Sequence, residues 1–178
     1  MTARNSLRIR LAAVLALVVA LAVPATASAA CEGEYTEPNE VSLVVSERAT
    51  LCLLNQERAQ RGIRPLRRNR RLDLASVRHA RAMALRDYFA HGNFVGRIKR
   101  AKYLRGARSW RLGENIAWGS GSLATPVEIV DAWMHSPGHR ANILNRGFRE
   151  IGIGIARGTP VRSYSDGATY ATDFGTRG

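Results

Sequence analysis

Cysteine and lysine are both scarce in this 178-residue chain: two cysteines, and two lysines among 27 basic side chains. Two cysteines are too few for a disulfide-dense miniprotein or a four-cysteine zinc site. Acids are also in deficit, 14 against 27 basic residues, which leaves a formal charge of +13. No internal repeat, low-complexity tract or linker-like stretch divides the chain, so its length reads as one ordinary domain. A hydrophobic fraction of 46% excludes wholesale disorder. Long apolar runs are absent except for one, at the N-terminus.

That run is an address. Arg4, Arg8 and Arg10 precede 13 uninterrupted apolar residues, Leu11 to Val23, and the small residues Ala25, Thr26, Ala27, Ser28, Ala29 and Ala30 follow. A basic segment, an apolar segment and an A-x-A-type cleavage zone make residues 1–30 a secretory signal peptide. The run is shorter than the ~20 residues of a membrane span, which counts against an uncleaved anchor. Cleavage near Ala27–Ala30, export and no transmembrane span afterwards are expected. Cys31 stands directly behind the small residues, so lipid attachment and a disulfide are both open. Lipoprotein signals carry a leucine-like residue where Ser28 stands, and an oxidising exterior favours a Cys31–Cys52 bond. Such a bond closes a loop of about 20 residues and contributes about 3 kcal/mol. The remaining 148 residues (178 − 30) carry +10, because the leader holds three arginines and no acid. A domain of that size can bury roughly two-thirds of its unfolded surface.

Residues 31–44 read as an acidic leader and the start of a first helix, and 45–178 as the domain proper. The helix is expected from about Asn39 to Gln60. Asn39 suits the cap, and Val41, Val44/Val45, Ala49, Cys52/Leu53 and Gln56 lie on one face. Gly62 and Pro65 end it. A second helix is expected over Leu72–Phe89, apolar on more than one side, with His79 on its apolar stripe. Residues 94–104 suggest a short helix. Gly106 to Gly121 is Gly-rich and reads as loop. Thr125 and Pro126 open a helix that Pro137-Gly138 breaks. Ile151-Gly-Ile-Gly-Ile-Ala156 alternates as a strand with glycine on one face, and Thr169–Phe174 is its partner across a Gly/Pro-containing loop. The tally is one α+β domain.

Three pieces stand in order: Asp87-Tyr-Phe-Ala-His91, Leu112-Gly-Glu-Asn-Ile-Ala117 and Trp133-Met-His-Ser-Pro-Gly-His-Arg-Ala-Asn-Ile-Leu144. With Cys52-Leu-Leu-Asn-Gln-Glu-Arg58 before them and Tyr170…Asp173-Phe174-Gly175 behind, the chain resembles the CAP superfamily. That superfamily includes cysteine-rich secretory proteins, antigen-type venom allergens and plant pathogenesis-related proteins; the match is best to its bacterial secreted branch. The resemblance spans about residues 45–175. It implies a three-layer α-β-α sandwich with a small antiparallel sheet and a cleft lined by two histidines and two acids. Carried over, His91 is the first histidine, Glu114 the first glutamate and His139 the second histidine. The second glutamate is replaced by Ser136, a usual departure in the bacterial branch, which puts any four-residue mechanism in doubt.

If His91, Glu114 and His139 meet, two imidazoles and a carboxylate suit a divalent metal such as zinc, with His91 and His139 as ligands. Glu114 would then orient a histidine or hold a water beside the metal. The bland alternative is a hydrogen-bonded polar cleft that ties loops together. His135 lies four residues before His139, but Pro137-Gly138 break that turn, so it reads as a surface variant. His79 reads as a satisfied buried histidine. Ser136 lacks an orienting acid and a nucleophile-elbow sequence, which argues against a serine hydrolase. Acid–base work by Glu114 remains the one catalytic option, and no complete catalytic set is present.

The charge is clustered. Arg58 to Arg71 holds seven arginines and no acid, and Arg97 to Arg111 holds seven basic residues and no acid. Such stretches attract anionic envelope polymers or lipid head groups, unless they are solvated surface in a chain that simply prefers arginine. Export and the absence of any nucleic-acid module argue against nucleic acid as partner. Three readings compete. The leading one is a secreted, monomeric ligand-binding or envelope-interaction module. The rivals are a metal-dependent extracellular hydrolase of protease type and a lipid or sterol carrier.

Overall fold

The isoleucine–glycine alternation forms the middle of a four-stranded sheet. The computed structural model describes residues 30–164 and 166–178; the signal peptide read over 1–30 lies outside them, apart from Ala30. Strand β3 (Glu150–Arg157) pairs antiparallel with β4 (Gly167–Arg177), and β4 pairs antiparallel with β2 (Trp110–Ser120). A two-residue strand β1 (Arg67–Arg68) lies parallel to β3 at the other edge, giving the order β1-β3-β4-β2. The sheet is therefore mixed, not purely antiparallel as the resemblance implied. β1 and β3 are separated by most of the domain, and a long crossover permits parallel pairing.

Helix α2 (Arg70–Leu85) lies across the glycine face of β3. A Cβ on Gly152 would stand 2.0 Å from the Leu72 carbonyl carbon, and one on Gly154 2.2 Å from the Val77 nitrogen. Glycine is there because backbone meets backbone. The opposite face carries Ile151, Ile153 and Ile155, packed with Tyr170, Phe174, Leu54, Trp133 and Ile143. Those last three come from α1 (Leu43–Ala59), α4 (Pro126–His135) and α5 (Pro137–Ile143). With α3 (Phe94–Arg100) beside α2, the result is an α-β-α sandwich.

Several boundaries differ from the sequence reading. Residues 110–120, expected as loop, form β2. Its glycines mark close approach: a Cβ on Gly113 would lie 2.8 Å from Asn142 Oδ1, and one on Gly119 2.1 Å from the Leu123 carbonyl oxygen. The first helix starts at Leu43 rather than Asn39, after turns held by Arg157 donating to the carbonyls of Pro38 and Val41. The second runs 70–85, because Asn69 caps it by accepting from Arg71 N and Leu72 N and Asp87 takes a left-handed φ of 51°. Pro137 ends one helix and begins the next, at a position where its missing N–H is harmless. Arg58, read as part of a basic surface run, has 0% exposure.

Cys31 and Cys52 form a disulfide across 21 positions, so the Cys31 thiol is not free to carry lipid. The bond ties the turns before α1 to that helix. Cys52→Ser is expected to destabilise the protein by about 3 kcal/mol. Urea unfolding of oxidised wild type against the variant measures it; coincident midpoints would contradict the assignment.

Candidate functional site

Glu114 is the hub. Alternation along β2 points it, with Ile116, toward α2, while Asn115 points the other way into the α5 layer. The Glu114 side chain is 2% exposed. Its Oε1 lies 2.7 Å from His91 Nδ1, and its Oε2 accepts from Arg97 Nη2. His79 Nε2 stands 3.8 Å from Oε2. A buried carboxylate demands a cation, and Arg97 supplies it from α3. Arg97 also donates through Nη1 to the His91 carbonyl (2.6 Å), fixing the loop that carries this histidine.

Directly across the strand pair from Glu114 is Asp173 on β4. It is fully buried, with Oδ2 2.7 Å from Ser76 Oγ and Oδ1 without a partner. Burial, and then the neighbouring Glu114 charge, push its pKa well above the usual carboxylate range. Two facing carboxylates and one guanidinium thus favour holding a proton on Asp173. Asp173 was legible as part of the C-terminal motif but not as a member of the site. Arg97 was hidden in a run of basic residues.

His91 is brought into contact with Glu114, and its side chain remains 55% exposed. His139 enters from α5, placed by Asn115 Nδ2 donating to its carbonyl (3.0 Å) and by its ring 6.5 Å from that of Trp133. Asn142 completes this clamp by donating to Asn115 Oδ1 (2.9 Å) and the Glu114 carbonyl (3.2 Å). Burial, and then the nearby His91 ring, hold the His139 pKa below its ordinary value. Ser136 sits between α4 and α5 and makes no capping hydrogen bond with its side chain. His135 is turned to solvent and pairs with Asp131, 3.2 Å away.

Nothing in this arrangement bears out a zinc site at His91 and His139. Both Glu114 oxygens are engaged by His91 and Arg97, and the guanidinium already supplies the positive charge. No group of three or more His, Cys, Asp or Glu is placed to hold a metal among the described residues.

His79 departs from the satisfied histidine expected. It is 2% exposed, and its Nε2 has no hydrogen-bond partner. Burial is the main cause that pushes its pKa from 6.5 down to about 4. The folded state therefore keeps His79 neutral where the unfolded chain would protonate it. Its contribution is present above pH 6.5 and lost as pH falls toward 4, on the order of 3 kcal/mol by proton linkage. Asp173 acts in the opposite sense, since a raised carboxyl favours the folded state at low pH. Unfolding free energies of wild type and His79→Gln at pH 7 and 4.5 separate the two. The variant is expected to lose less stability on acidification; equal losses would remove His79 as the source.

Comparison with known proteins agrees with this architecture. A model of the cysteine-rich secretory protein family, CAP, matches residues 51–172. The Bacillus subtilis protein YkwD, described as uncharacterised, is 36% identical over 119 residues, covering 66% of this chain and 44% of that protein. The uncharacterised Bacillus subtilis membrane protein YlbC is 28% identical over 133 residues, covering 70% of this chain and 38% of its own length. The chain thus spans less than half of either relative. An extracellular SCP-domain protein of Bacillus anthracis superposes with TM-score 0.56 at 24% identity, covering 75% of this chain and 43% of that one. An outer surface protein of Borrelia burgdorferi gives TM-score 0.56 at 21% identity, covering 70% and 87%. The two structures share the fold, and the family model spans the strand that carries Glu114, the loop that carries His91 and the helix that carries His139. By that match and by its sandwich, this chain belongs to the CAP family of cysteine-rich secretory proteins.

Proposed function

We propose that the protein is an exported bacterial CAP-domain module that binds an extracellular or cell-envelope ligand at the cleft of His91, Glu114 and His139, bordered by Ser136. The observation that carries this reading is the state of Glu114. Its two oxygens are held by His91 and Arg97, so it is a fixed, neutralised anchor and not a free base. What it presents outward is a half-exposed imidazole with its tautomer set from behind. An oriented imidazole beside a second, partly buried one is a recognition surface for a hydrogen-bonding ligand. Among the described residues no activated nucleophile stands beside it. The signal peptide read over 1–30 and the extracellular and outer-surface relatives support export.

The test is retention on isolated bacterial envelopes. His91→Ala is expected to reduce retention at least 10-fold while leaving the unfolding midpoint within a few degrees, because the ring is exposed. The same preparations are offered peptide and ester libraries with and without Zn²⁺. Turnover that Glu114→Gln abolishes would replace binding by hydrolysis as the function.

A further inference from the structure

We propose that the cavity between α2 and α3 is a second ligand site, one that takes a small phosphate monoester. The cavity encloses about 320 Å³, room for about ten waters at ~30 Å³ each. Four arginines line it, Arg78, Arg86, Arg97 and Arg100, and no carboxylate does. Only Arg97 is neutralised, by Glu114; Arg78, Arg86 and Arg100 make no ion pair among the described residues. Three uncompensated guanidinium groups around one hollow call for more negative charge than a carboxylate carries. A phosphate monoester approaches two charges near neutral pH and offers three acceptor oxygens, and planar guanidinium forks grip them in pairs.

His79 and Arg97 close the inner wall of the hollow, and Arg97 turns its guanidinium to Glu114. The rest of the lining includes three alanines, which leave the space open, and Tyr88.

The experiment is calorimetric titration of the folded, disulfide-bonded protein at constant ionic strength. Glycerol 3-phosphate and inorganic phosphate are the probes, acetate is the monoanion control, and vesicles of phosphatidic acid are compared with vesicles of phosphatidylcholine. Saturable 1:1 binding of the soluble phosphates but not of acetate is expected. The double variant Arg78→Gln/Arg100→Gln, both exposed positions, should weaken it at least 10-fold. Arg111→Gln, outside the cavity, should leave it unchanged. Binding confined to phosphatidic acid vesicles and lost in the double variant would assign the same phosphate to a lipid head group. Absence of binding in every arm overturns the site. So does binding that the double variant leaves intact, or that Arg111→Gln weakens equally, since that is diffuse surface charge. All these variants keep His91, Glu114 and His139, so this inference and the reading of that cleft fail independently.

Discussion

Replacing Arg58 by methionine is expected to destabilise the protein by about 4 kcal/mol, lowering the thermal midpoint by about 10 °C or more. Arg58 leaves α1 fully buried and meets no carboxylate. Its guanidinium instead donates to four carbonyls: Nε to Arg64 (2.8 Å), Nη1 to Ile143 (2.6 Å) and Asn145 (3.1 Å), Nη2 to Phe148 (3.3 Å). Ile143 is the last residue of α5, where unpaired carbonyls and the negative end of the helix dipole gather. Burial, with Arg149 and Arg146 nearby, lowers the Arg58 pKa, and the ring of carbonyls offsets that penalty. Methionine matches the stem and removes every donor, leaving buried acceptors empty at about 1–3 kcal/mol each, part of it recovered by ending the burial of a charge. Arg58→Lys should recover only part of the loss, because one ammonium cannot span four separated acceptors. Urea unfolding reads both variants. A methionine variant as stable as wild type would show that the carbonyls find other partners.

Arg97→Met should be comparably severe, at about 3–5 kcal/mol, for the opposite reason. Here the cation is the partner of a buried acid. Its loss strands Glu114 against Asp173 with only imidazoles near. The added substitution Glu114→Gln is expected to restore a large part of the stability, so the double-mutant cycle should show coupling well above 1 kcal/mol. The loss in Arg97→Met should also grow as pH rises. Asp173 must then ionise in the unfolded chain while burial opposes it in the folded one, and Arg97 is the charge that eases this; a carboxyl with a raised pKa stabilises the fold at low pH and loses that contribution upward. A cycle without coupling, or a loss that is flat with pH, would detach Arg97 from the buried carboxylates.

The two arginines mark where sequence reading stops. Both lie in stretches with seven basic residues and no acid, which read as solvated or polyanion-facing surface. Charge density along the chain is a local property. Arg58's acceptors lie 6 to 90 positions away, and Arg97's carboxylate lies 17 away. Apart from Arg58 with Arg64, neither basic stretch contains both members of such a pair. Residues 110–120 failed for a related reason: Gly113 and Gly119 look like loop punctuation, yet they are small because Asn142 and Leu123 press against them. The glycines of 151–156 were legible because strict alternation with isoleucine is a local signal of a strand. Asp173 fell in the strand read over Thr169–Phe174, but only the register that sets it across from Glu114 makes it part of the site.

The scarcity of cysteine narrowed the outcomes to lipid attachment at Cys31 or one bond. Two cysteines behind an export-type leader leave one structural bond as the simplest outcome, and Cys31–Cys52 is formed. Composition, periodicity, caps and ordered motifs likewise determined the α+β class, most of the helices, the isoleucine strand and the family. These depend on neighbours within a few residues or on patterns kept in order along the chain. Only the tertiary structure decided which charges are buried, which acid faces Glu114, and which arginines surround an open cavity. Such choices rest on contacts between residues far apart in sequence, whose energies arise from shared burial.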